Sequence, residues 1–195
     1  VLYGQAENTR NRVMRQCCLS AVLAIAASLP TTATADDSAG RLPVRLYADA
    51  CIRTLPDPAQ LEQLMATIGV PLEADTRFLQ GQPGKAWLVA DPYQRTHALA
   101  RQDRGLCLLY VRQGDATALQ EEFNHLGRSA PAPLQVQHDS QASADGKRQT
   151  LQYTWHEPGQ PRAVLLMMTI DPAADASLRA VISANYTDPP ATGSR

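Results

Sequence analysis

The sequence predicts an α+β domain: a mostly antiparallel sheet of about five to seven strands, two N-terminal helices, one central helix and one disulfide. Three observations carry that expectation. Leu151, Tyr153 and Trp155 alternate with Gln152, Thr154 and His156, the period of a half-buried strand. Asp57-Pro58 followed by Leu61, Leu64, Met65 and Ile68 describes a capped helix with one apolar stripe. Residues 104–127 read as a buried strand carrying Cys107, then a turn, then an amphipathic helix.

The chain has 195 residues, of which 44% are hydrophobic and 19% charged, so it has the material for a packed core. No apolar run approaches the roughly 20 residues of a membrane-spanning helix. Residues 1–35 read as a signal peptide, with translation starting either at the beginning of the chain or at Met14. Arg10, Arg12 and Arg15 precede the apolar stretch 19–29, and Ala33-Thr34-Ala35 supplies a small-x-small cleavage site, so cleavage is expected between Ala35 and Asp36. The alternative is an anchor that is never cut. Cys17 and Cys18 fall inside this segment, and no cysteine follows a lipobox.

Removing Arg10, Arg12, Arg15 and Glu7 leaves a formal balance of about −3, which speaks against a nucleic-acid or anionic-membrane surface. It also leaves two cysteines. In an oxidising compartment one Cys51–Cys107 disulfide is the economical expectation, against two separate buried thiols.

Residues 36–40 are expected to be a loose polar leader to a domain over 41–187. A first helix follows, with Pro43 in its opening turn and Cys51 facing the core from its last. Leu55-Pro56 ends it. The second helix runs from the Asp57 cap to Gly69. Gly81, Pro83 and Gly84 mark a turn before a strand at 86–90. Strands are then expected at 97–101 and 105–111 as a hairpin, the second apolar on both faces and therefore central. Asp115 caps a helix lined by Ala116, Leu119, Phe123 and Leu126, which Gly127 should close. Leu134, Val136 and His138 alternate with glutamines and Asp139 as a half-buried strand, and 140–146 reads as a polar turn. Beyond the 151–156 strand and the Pro158-Gly159 turn, 163–170 is a buried strand. Residues 178–186 alternate as a last strand, although a helix capped by Asp171-Pro172 competes for them. Residues 188–195 read as a flexible tail, and no internal repeat is evident in the sequence.

Cys51, the Phe78-Leu79-x-Gly81-x-x-Gly84-x-x-Trp87 stretch, and Gly105-x-Cys107 leading into an Asp115-started helix resemble one known family. This is the NMCC family of bacterial secreted proteins, named after a meningococcal locus, and the resemblance covers roughly residues 46–126. It implies a periplasmic or exported single domain and carries no reaction with it.

No Gly-x-Ser-x-Gly elbow, HExxH or phosphate-binding glycine loop is present, and no catalytic residue, cofactor or metal site is assigned. Glu121 and Glu122 are neighbours on a helix and point apart. His125 lies beside Asn124 on the same helix. Two functional expectations remain. One is a non-enzymatic binding protein with an unknown protein partner in the cell envelope, using the polar strand face of Thr150, Gln152, Thr154 and His156. The other is a small secreted hydrolase whose site assembles from distant residues such as His97, Asp103 and His138.

Overall fold

The computed structural model describes residues 37–73, 76–92 and 94–189. The expected signal segment 1–35 and its expected cleavage site at Ala35-Asp36 lie outside them, as do residues 190–195 of the tail. In chain order the elements are α1 (Asp37–Tyr47), a single π turn (Ala48–Ile52), α2 (Pro58–Ile68), β1 (Gly69–Pro71) and a one-turn helix α3 (Thr76–Leu79). Then come β2 (Gly84–Ala90), β3 (Thr96–Gln102), β4 (Cys107–Val111), α4 (Ala116–Arg128), β5 (Gln135–Ala142), β6 (Gln149–His156), β7 (Ala163–Ile170) and β8 (Ala180–Thr187).

The strands form one antiparallel sheet in the order β1-β2-β3-β4-β8-β7-β6-β5. Among the described residues there are eight, one more than the range read from sequence. The addition is β1, which pairs with β2 through Gly69↔Val89, Val70↔Leu88 and Pro71↔Trp87. Gly69 therefore leaves α2 with extended backbone (φ −110°) rather than the left-handed conformation of a closing glycine. The 178–186 segment is strand β8, and it pairs with β4 in the middle of the sheet. Each half of the sheet is a helix followed by a four-stranded meander, α2 with β1–β4 and α4 with β5–β8. This architectural repeat leaves no trace in the sequence.

The helices cover one face. Alternation sends Cys107, Leu109 and Val111 of β4 beneath them, into a core shared with Tyr47, Leu61, Met65, Phe123, Tyr153 and Ile182. Leu108 and Tyr110 point to the opposite face, where Leu79, Ala86, Ala98 and Ala100 join them under α3. There the Tyr110 hydroxyl donates to the Phe78 carbonyl at 2.9 Å, and the two rings sit 5.1 Å apart. The expectation of a central strand apolar on both sides is met.

Asp57 caps α2 by accepting from the Ala59 amide at 3.0 Å, and Asp115 caps α4 by accepting from Ala118 at 2.7 Å. The stripe of α2 is shorter than expected. Leu61 and Met65 are buried, but Ile68 is 42% exposed because the chain turns into β1 there. Residues 37–40 are not a loose leader; they open α1, which puts Pro43 inside the helix rather than in its first turn. Gly40 is the reason α1 can lie so close to α4, since a Cβ there would overlap the Ala118 backbone.

Gly127 does not close α4 either. It lies within the last turn, where a Cβ would fall inside the Tyr153 ring. The same contact is held by two hydrogen bonds: Trp155 Nε1 donates to the Gly127 carbonyl at 2.6 Å, and the Tyr153 hydroxyl donates to Asn124 Oδ1 at 2.8 Å. Residues 134–139 correct the sequence reading in another way. Every residue of β5 is exposed, because the strand lies at the sheet edge and runs to Ala142 through what was read as turn.

Cys51 and Cys107 are bonded, both fully buried, with Cα atoms 5.5 Å apart and 56 residues apart in sequence. Closing a loop of that length removes about 4 kcal/mol of unfolded-state entropy at 25 °C. Cys51→Ser or Cys107→Ser should therefore lower Tm strongly, and the double substitution should lower it little further; calorimetry checks both. Gly127→Ala sets a helix-propensity gain of about 1 kcal/mol against overpacking of about 1–3 kcal/mol. Overpacking should win on a rigid ring, and a urea midpoint at or above wild type would refute this.

Candidate binding surface

The outer face of the sheet is covered by α3 only across β2–β4. Among the described residues nothing covers it from β8 to β5, and registry arranges it in rows. One runs Asp139, Gln152, Met167, Ser183; the next runs Gln141, Thr150, Thr169, Val181. A third runs Gln137, Thr154, Leu165, Asn185. Amides and hydroxyls thus flank a partly exposed apolar strip of Leu165, Met167 and Val181. The Thr150 and Thr169 hydroxyl oxygens are 3.1 Å apart, which fixes the rotamers in that row. At the margin, Arg148, Thr169, Asp171, Leu178 and Val181 enclose a recess of about 180 Å³, with Arg148 Nε 3.9 Å from the Asp171 carboxylate.

The four residues singled out on β6 all project onto this face. Thr154 is buried among its neighbours at 7% exposure, while Thr150, Gln152 and His156 are partly exposed. His156 Nδ1 is buried without a hydrogen-bond partner. Leu151, Tyr153 and Trp155 go to the core on the other side, at 3%, 0% and 5% exposure.

Strand order keeps the three residues of the hydrolase expectation apart. His97 lies near the start of β3 and Asp103 in the turn just past its end, six residues or about 20 Å by strand rise. His138 lies on β5, five strand spacings or about 24 Å across the sheet. Its ring stacks instead on Tyr153, with centroids 4.5 Å apart. Among the described residues no three His, Cys, Asp or Glu side chains gather closely enough to hold a metal ion.

Sequence reasoning missed a buried polar cluster at the β2–β3 turn. Asp91 accepts from the Arg95 amide at 3.0 Å and from Arg95 Nε at 2.5 Å. His97, only 1% exposed, brings Nε2 to 3.7 Å from Asp91 Oδ2, too far for a hydrogen bond. Burial lowers the His97 pKa, with the Asp91 charge opposing that shift. The signal was the Asp91-Pro92 turn, with Arg95 and His97 within a few residues of it. The result is a neutral imidazole beside a carboxylate already held by Arg95, which is a structural arrangement. A second recess, of about 280 Å³, lies between Trp87, Lys85 and Arg101. Its cations are engaged: Lys85 Nζ is 2.8 Å from Glu62, and the Arg101 guanidinium faces the Thr54 and Leu55 carbonyls at 3.4 Å.

Comparison of the chain with family models, curated proteins and solved structures finds no match among any of the three.

A His with a lowered folded pKa binds fewer protons in the native state than in the unfolded chain. Its contribution is whole above the unfolded value of about 6.5 and is lost as pH falls below it. Wild-type stability should therefore decline from pH 7 to pH 5, and His97→Phe should flatten that decline. Urea midpoints across the range test this, and parallel pH profiles for the two proteins would contradict it.

Proposed function

We propose that this protein is an exported binding protein, periplasmic or secreted, which engages a protein partner of the cell envelope through the open face of β5–β8. An envelope accessory factor and an immunity-type factor both fit this role. The observation that carries the reading is the uncovered half of the sheet, where an apolar strip is exposed between rows of amides and hydroxyls. Such mixed surfaces adapt to protein partners, because the strip gains by dehydration and the flanking groups fix register. A buried Cys51–Cys107 bond and the Arg-rich, apolar, Ala-Thr-Ala-terminated N-terminal sequence support export. Membership of the NMCC family is part of the same proposal and adds the expectation of an exported single domain. The hydrolase alternative gains no support from the separation of His97, Asp103 and His138.

Gln152→Lys with Met167→Glu changes the centre of the face while leaving the core side of both strands intact. The wild-type protein, immobilised, should retain a defined envelope protein from periplasmic extract, and the double variant should lose it at unchanged Tm. Equal capture by both proteins, or no capture by either, would count against the proposal.

A further inference from the structure

The sheet has two edges, and they are built differently. Edge β1 is three residues long and ends in Pro71, which has no amide to offer a neighbouring strand. Edge β5 is eight residues long, fully exposed, and free of lysine, proline and glycine. Lysine and proline are among the devices by which solitary edges are protected, and the one charge on β5 is Asp139.

The orientation of its backbone follows from two contacts. The Ser143 amide donates to the Arg148 carbonyl at 2.8 Å, so odd-numbered residues turn their backbone groups toward β6. The Ser140 amide has no place in that ladder and is met by the Asp139 carboxylate at 2.8 Å. Val136, His138 and Ser140 thus direct their amides and carbonyls away from the sheet.

We propose that β5 pairs antiparallel with β5 of a second copy of this chain, making one continuous sheet across a two-fold axis at His138. A two-fold perpendicular to the sheet keeps every residue on its own face, so only pairs of equal parity meet. Centring on His138 joins residues 135–141 of both copies. Val136 meets Ser140, the Ser140 amide leaving the Asp139 carboxylate for the Val136 carbonyl, and His138 meets itself, as narrow pairs exchanging both backbone bonds. Between them Gln137 meets Asp139 at the closer spacing, an amide donor opposite the carboxylate that the Ser140 amide has released and that Gln141 Nε2 holds on its other oxygen at 3.2 Å. Moving the axis to Asp139 sets two carboxylates face to face, which is destabilising. Moving it to Gln137 or Ser140 shortens the ladder. The complementarity of this one register argues for a second copy over an unrelated strand. The pairing uses backbone at the edge and stands independently of partner binding on the outer face.

Sedimentation velocity of the full chain at micromolar concentration should give twice the monomer mass. Ser140→Pro, which removes an outward amide and no β6 bond, should halve it. The register is tested by cysteine placement. His138→Cys lies opposite itself at about 5.5 Å between Cα atoms, suited to a disulfide, and should form a covalent dimer in air. Val136→Cys faces Ser140 and should not. The native Cys51–Cys107 bond is fully buried and out of reach of exchange. A wild-type monomer at all concentrations, a Ser140→Pro dimer, or cross-linking of Val136→Cys as readily as His138→Cys would each overturn the proposal.

Discussion

Strand β4 is the constraint on which the remainder of the structure depends. It is the last strand of the first meander, it pairs with the last strand of the second, and it carries the cysteine that holds the N-terminal helices down. All five of its residues are buried. The anchoring continues on its partner, because the buried Tyr47 hydroxyl donates to the Ser183 carbonyl of β8 at 2.7 Å. Helix α1 and the π turn after it are therefore fixed to both strands of the seam, one by a covalent bond and one by a hydrogen bond. Burial raises the Tyr47 pKa well above its ordinary value, so this donor keeps its proton.

From that seam an aromatic chain runs outward beneath the helices. Tyr47 and Phe123 rings are 6.3 Å apart, Phe123 and Tyr153 are 5.8 Å apart, and Tyr153 meets His138 at the edge. The helical layer runs from the π-turn residue Cys51 to Gly127, whereas among the described residues the opposite layer is the single turn of α3. This asymmetry is what leaves half a sheet face and one strand edge to solvent. Both binding proposals draw on it, one on side chains and the other on backbone.

Much of this was legible in the sequence where a signal was local and chemical. Asp57-Pro58 and Asp115 cap the helices they announce, the 151–156 alternation sorts core from surface correctly, and the two faces of β4 were read as they lie. The Cys51–Cys107 bond followed from counting. What escaped depends on partners distant in the chain. Gly40 and Gly127 have the composition of helix boundaries, but their role is to admit the backbone of α4 and the ring of Tyr153. The alternation in 134–139 is real, and Leu134 packs against the core, yet Val136 and His138 on the same face stay exposed at the sheet edge. Asp91, Arg95 and His97 meet because β3 turns His97 inward, a parity that periodicity alone did not resolve in a strand buried on both faces from His97 to Ala100. The β6 face was placed on one side of the sheet by alternation, while its continuation onto β7 and β8 required registry.

The repeated helix-and-meander plan also bears on how the chain finds its structure. Within each half, every strand pairs with its neighbour in sequence, so those contacts close short loops at small entropic expense. Only β4 with β8 is non-local, with Cys107 opposite Ala184. Together with the packing of α1 on α4, that pairing raises the contact order and is the step most exposed to slow search. The disulfide ties the π turn to β4 and makes no direct link to the second meander. The two halves must dock by encounter, and until they do, the apolar edges of β4 and β8 are the surfaces a folding chaperone would meet.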